Sequence, residues 1–129
     1  VQDNPLSMIH LADVVLCASG TATLMVGMLA KPLIIMYKMN AFSGFLAKRF
    51  VKETPYFGMI NLVLQRQVAP EFFQEEASVS QLQESLHELL TSQEKREKMQ
   101  SELSEARRLL GEKGATARVA RAVAAYLES

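Results

Sequence analysis

At 129 residues the chain is the size of one domain and long enough to bury a usable core. Fourteen basic residues balance fourteen acidic ones, which argues against a nucleic-acid binder driven by bulk charge. The single cysteine, Cys17, closes an apolar run and has no internal disulfide partner, so it reads as a small buried hydrophobe in a reducing compartment.

The opening Val1-Gln2-Asp3-Asn4-Pro5 lacks the basic stretch, apolar core and cleavage site of a signal peptide. A start without Met is the start expected of a fragment. Asn4 to Leu11 reads as a short helix with Pro5 at its first position. Val14 to Ala18 follows as an apolar strand, and Ser19-Gly20-Thr21 turns it into a helix over Ala22 to Ala30. That helix is apolar all round, which predicts burial on most sides. Lys31-Pro32 ends it, and Leu33 to Tyr37 is a second apolar strand. Strand, helix, strand with almost no polar alternation is the pattern of a parallel sheet covered on both faces, so a doubly wound α/β core is expected. The uncharged stretch from Val14 to Ala30 approaches membrane-span length, but Ser19, Gly20, Thr21 and Gly27 interrupt it, and a strand, turn and helix fit better.

A strand feeding a helix through a glycine turn aims unpartnered backbone N–H groups, and the positive end of the helix dipole, at the strand's carboxyl edge. A diphosphate fits there. The same Ser-Gly-Thr also serves as an ordinary capped turn, and the tripeptide alone leaves both readings open.

Phe42 to Val51 reads as an amphipathic helix ending in Lys48, Arg49 and Lys52. Those cations complement the helix dipole or form a basic rim for phosphate or an anionic membrane surface. Glu53 to Ile60 reads as a loop with two adjacent aromatics, Tyr56 and Phe57. From Ser78 the composition becomes polar and helical. Ser80 with Gln83 and Thr91 with Glu94 have capping-box spacing, predicting helix starts near residues 81 and 92. Met99, Leu103, Ala106 and Leu110 share a stripe closed by Gly111. After Gly114, Ala117, Ala120, Val123, Ala124 and Leu127 share another. The charges from Glu94 to Arg108 are a solvated face. No Walker sequence, metal-ligand cluster or Ser, His, Asp set is present, and His10 and His87 stand alone. A complete active site is not expected, and the catalytic residues are not identifiable.

Taken in order, Ala12-Asp13, Ala18-Ser19-Gly20-Thr21-Ala22-Thr23-Leu24, Leu29-Ala30-Lys31-Pro32, Tyr37-Lys38, Leu46-Ala47-Lys48-Arg49, Val51-Lys52, Asn61-Leu62, Arg66 and Pro70-Glu71-Phe72-Phe73-Gln74 carry a resemblance. The chain resembles the C-terminal part of the lipid-A-disaccharide synthase family, glycosyltransferases of the two-domain GT-B fold. The Ser-Gly-Thr turn is shared by many GT-B enzymes. The succession from Tyr-Lys to Pro-Glu-x-x-Gln is more specific.

The resemblance implies the UDP-binding half of a GT-B fold, a partial doubly wound parallel sheet over residues 1–78, followed by C-terminal helices over 79–129 that pack on it. It implies an inverting transferase of lipid A and lipopolysaccharide biosynthesis, which moves a diacylglucosamine from UDP to an acylated glucosamine 1-phosphate and releases UDP without a metal or cofactor. Ser19, Gly20, Thr21 and Ala22 would line the diphosphate, Asn61, Glu71 and Gln74 would face the donor cleft, and Arg66 would supply a cation. Met25 stands where the family places a ribose-binding Glu, and a thioether is a much weaker acceptor. Ile60 stands where the family has Pro. The general base and much of the acceptor site would belong to an N-terminal domain outside this chain, so the fragment alone is expected to be inactive. The expected location is cytoplasmic, peripheral on the inner face of the bacterial inner membrane. The last helix, deprived of that domain, is expected to expose its stripe and pair as a homodimer. No nucleic-acid partner is expected. The alternatives are another UDP-sugar transferase of the same fold and a noncatalytic interaction module.

Overall fold

The computed structural model describes residues 4–18, 20–38, 40, 56–111 and 115–128. The elements in chain order are α1 (Pro5–Leu11), β1 (Val15–Cys17), α2 (Gly20–Met28), β2 (Leu33–Tyr37), α3 (Met59–Leu64), β3 (Glu71–Phe73), α4 (Val79–Thr91), α5 (Gln93–Gly111) and α6 (Ala115–Glu128), with a short 3₁₀ turn at Gln74–Glu76. The expected basic helix from Phe42 to Val51 lies outside the described residues.

The three strands form a parallel sheet in the order β1-β2-β3. Val15 pairs with Leu33 and Cys17 with Ile35, while Ile35 pairs with Glu71 and Tyr37 with Phe73. Successive strand side chains point to opposite faces, yet Leu33, Ile34 and Ile35 are all 0% exposed. Both faces of β2 are therefore covered, as its unalternating sequence requires. At the edge, β1 is barer, with Leu16 49% exposed.

One core joins the sheet to the helices that follow it. Ile9 of α1, Val26 of α2, Ile60 and Leu64 of α3, Leu89 of α4, and Met99, Leu103 and Ala106 of α5 all belong to it. The predicted α5 stripe of Met99, Leu103, Ala106 and Leu110 is buried in full. Lys31 ties α1 to the sheet by donating from Nζ to the carbonyls of His10 (2.7 Å) and Ala12 (3.3 Å), the use expected of a cation at a helix C-terminus.

Four local expectations are corrected. First, α2 is not buried on most sides: Thr23, Val26 and Gly27 face the core, while Thr21, Met25 and Met28 are exposed. A helix made of small and apolar residues all round has no amphipathic stripe to show which face is covered. Second, the apolar tail after Phe57 is helix α3, too short at six residues to display a period. Third, β3 supplies a strand where only a motif was read. Fourth, the caps shift: Ser78 Oγ accepts from the Gln81 N–H and Ser92 Oγ from the Lys95 N–H. Thr91 instead donates from its hydroxyl to the carbonyl of His87 (2.7 Å), inside the preceding helix.

Candidate functional site

In open parallel sheets, ligands sit outside the carboxyl ends of the strands. Two groups of sequence-selected residues gather at that edge. At the end of β1, α2 begins at Gly20, two residues beyond Ala18. Thr21 is exposed and Ala22 half-buried, and Met25, one turn further, is 37% exposed on the same helix. Ser19 lies outside the described residues.

The second group is built around Glu71, the first residue of β3. Its Oε2 accepts from the Phe57 N–H (2.6 Å), and its Oε1 from the Gly58 N–H (2.9 Å) and from Asn61 Nδ2 (2.7 Å). Asn61 is 0% exposed. Its Nδ2 also donates to the Ala69 carbonyl (2.8 Å), and its Oδ1 accepts from the Val68 (2.9 Å) and Ala69 (3.0 Å) N–H groups. Two bonds donated and two accepted use the whole capacity of a primary amide. Asn61 thus laces the first turn of α3 to the segment that leads into β3.

Phe57 is held on three sides. Glu71 takes its N–H, the Tyr37 hydroxyl donates to its carbonyl (3.2 Å), and its ring stacks on Phe73 with centroids 4.5 Å apart and planes within 2°. Tyr37 lies 5.9 Å from the same ring at a tilt of 54°. Burial first, and the Glu71 carboxylate second, push the Tyr37 hydroxyl up to about 12. A Cβ at Gly58 would run into the tip of the buried Ile35 side chain and lie 3.1 Å from Glu71 Oε1, so a larger residue there must displace Ile35. Gly27 on α2 is tighter still, because a Cβ there would overlap both Cγ1 and Cδ1 of the fully buried Ile60.

Gln74 follows β3 directly, buried and with φ of 57°. Left-handed backbone at a residue with a Cβ costs on the order of 1–3 kcal/mol, and such residues cluster at ligand sites. Arg66 is placed elsewhere. Beyond the C-terminus of α3, its guanidinium donates to Glu105 Oε2 of α5 at 2.6 Å, and this bond holds the Glu105 carboxyl below the usual range.

The structure therefore joins Asn61 to Glu71 at the start of β3, sets Gln74 just past the other end of that strand, places Gly20, Thr21, Ala22 and Met25 beyond the end of β1, and turns Arg66 to α5. Tyr37, Phe57, Gly58 and Phe73 were not singled out as site residues by sequence. The adjacent aromatics before a glycine, and the aromatic closing β2, were the available signal. Among the described residues, no group of three or more His, Cys, Asp or Glu is placed to hold a metal ion.

A family model described as lipid-A-disaccharide synthetase matches residues 1–126. The chain belongs to the lipid-A-disaccharide synthetase family. It is 36% identical over 124 residues to the lipid-A-disaccharide synthase of Syntrophotalea carbinolica, covering 95% of this chain and 31% of that protein. It is 40% identical over 112 residues to that of Chromobacterium violaceum, covering 87% and 28%, and 34% identical over 119 residues to that of Synechocystis sp., covering 92% and 30%. The chain thus spans a little under a third of the length of these synthases.

Proposed function

We propose that this chain is the donor-nucleotide-binding part of a lipid-A-disaccharide synthase, holding UDP-diacylglucosamine while its sugar passes to an acylated glucosamine 1-phosphate. The observation that carries the reading is the family match over residues 1–126, laid on a parallel sheet with a helix start just past the end of β1 and the Glu71 cluster level with it on β3. The start of α2 would take the diphosphate, because its first N–H groups point past the end of β1 and the helix dipole favours an anion there. Neighbouring strands lie about 4.8 Å apart, so Cys17 at the end of β1 and Glu71, level with it on β3, are about 10 Å apart, a span suited to one nucleoside diphosphate. Stabilising the leaving UDP needs hydrogen-bond donors aimed at developing charge, which a helix N-terminus supplies. Exposed Met25, on the face that carries Thr21, would stand near the ribose.

The base and the acceptor site would come from a further domain of a longer protein, with residues 79–129 as C-terminal helices packed on the nucleotide half. No helix among the described residues is long and apolar enough to cross a membrane. A peripheral position at the cytoplasmic face of the inner membrane agrees with acylated substrates. The exposed Val123 and Leu127 of α6 support association of this piece through that helix.

Calorimetric titration of UDP into the transferase carrying this segment tests the reading. Binding is expected, and Gly20→Val should weaken it more than tenfold, about 1.4 kcal/mol, because a branched side chain would intrude on the diphosphate. Equal affinity in the variant would refute the site, and no binding at all would favour a noncatalytic module.

A further inference from the structure

We infer that Glu71 is a positioning residue of the donor site: from β3 its carboxylate fixes the loop at Phe57 and Gly58 and the first turn of α3, and through α3 it fixes α2. This rests on the proposed nucleotide site at the start of α2.

Three N–H donors converge on the two oxygens of Glu71, two from backbone and one from Asn61. A carboxylate is the only side-chain group of this length that accepts at both oxygens and donates at neither. Such charge-assisted bonds are roughly twice as strong as neutral ones. The loop they hold is also gripped by the Tyr37 hydroxyl and the Phe73 ring, from the carboxyl ends of β2 and β3. Glu71 therefore sets how the chain enters α3 beside the ligand edge.

From α3 the constraint passes to α2 by two contacts. The Ile60 N–H donates to Thr23 Oγ1 at 3.4 Å, and the Ile60 side chain lies against Gly27, too close to admit a Cβ. Thr23 is three residues into the helix from Gly20. A shift of α3 therefore moves the helix whose first N–H groups would hold the diphosphate. With every polar atom of Asn61 occupied, Asn61 and Glu71 form a support that stands behind the donor.

The test compares wild type, Glu71→Gln and Tyr37→Phe in the transferase carrying this segment, measuring UDP affinity, donor KM and kcat, and thermal melting. Glutamine has the same shape but puts an NH2 group against a backbone N–H. Glu71→Gln should raise the UDP Kd and the donor KM by about tenfold, the equivalent of one lost hydrogen bond at the upper end of the usual range, with kcat at saturating donor moving much less. Tyr37→Phe removes a single hydroxyl grip and keeps the ring packing. It should raise the same KM by about threefold, and it supplies the answer if the glutamine variant does not fold. A KM unchanged in both variants, with kcat falling only as the folded fraction falls, overturns the inference and leaves Glu71 as fold support alone. A wild type that neither binds UDP nor transfers sugar overturns the proposed function itself, and the inference with it, before any variant is compared.

Discussion

Tyr37 is where burial and a carboxylate act on one side chain. Its hydroxyl donates to the Phe57 carbonyl, half-buried beside Glu71, and ionising it would set a second negative charge near that carboxylate. The folded state therefore holds the proton more tightly than an unfolded chain does. Stability from this preference is fully present below the ordinary tyrosine value of about 10 and is lost as pH rises toward about 12. Tyr37→Phe should remove that part of the alkaline loss, so denaturant midpoints of variant and wild type converge as pH rises through that window. In a spectroscopic titration, the tyrosinate signal absent from the variant should appear near 12, and a signal near 10 would contradict the packing seen here. Sequence read some residues at this scale well. Cys17 is buried with its thiol pushed up by desolvation, an inert small hydrophobe as expected. The Glu71 bracket was not legible, because its partners Phe57, Gly58 and Asn61 lie 10 to 14 residues away and only the fold brings backbone N–H groups onto a distant carboxylate.

At the scale of elements, long pieces were legible and short ones were not. The α5 stripe repeats over enough turns to declare its buried face, and β2 declares itself by an unbroken apolar run. Six-residue α3 and three-residue β3 show no period, and their identity comes from what they pack against. The cap serines were ambiguous because several hydroxyls stand within one turn of each helix start, and backbone geometry alone selects among them. Helix ends carry a stability prediction. At the end of α3, the Arg66 N–H bonds to the Asn61 carbonyl (3.3 Å) and the Gln65 N–H to the Leu62 carbonyl (3.2 Å), with Gln65 at φ of 53°. That is a Schellman closure with glutamine in the position glycine usually holds. Gln65 is exposed, so little packing is lost on replacement. Gln65→Gly should raise stability by about 1 kcal/mol, through relief of left-handed strain less the entropy glycine gains when unfolded. A lowered denaturant midpoint at equal slope would mean that the glutamine side chain contributes more than its backbone costs.

Across the whole molecule, the division at residues 78 and 79 meets a core that runs through both parts. The break in composition is real, with an apolar sheet before it and polar helices after it, and sequence made the break easy to see. The buried stripe of α5 nevertheless packs into the cluster that holds β2 and α3, and the Leu33 N–H donates to Met99 Sδ at 3.4 Å across the break. Helices α4 and α5 therefore complete the core around β2 and α3, and they should unfold together with the sheet. Leu103 tests this because it is 0% exposed at the middle of that stripe. Leu103→Ala removes a buried side chain and leaves a cavity, at a cost of about 2–5 kcal/mol, a large share of the roughly 5–15 kcal/mol that holds a domain together. The loss should reach the sheet as well as the helices. Hydrogen exchange at the Ile35 amide, bonded to the Pro70 carbonyl at 2.8 Å, should quicken as much as exchange in α5, and helical signal should fall in one transition with it. If Ile35 keeps its protection while α5 exchanges freely, the C-terminal helices are a separate unit, and the single-core reading of this fold fails.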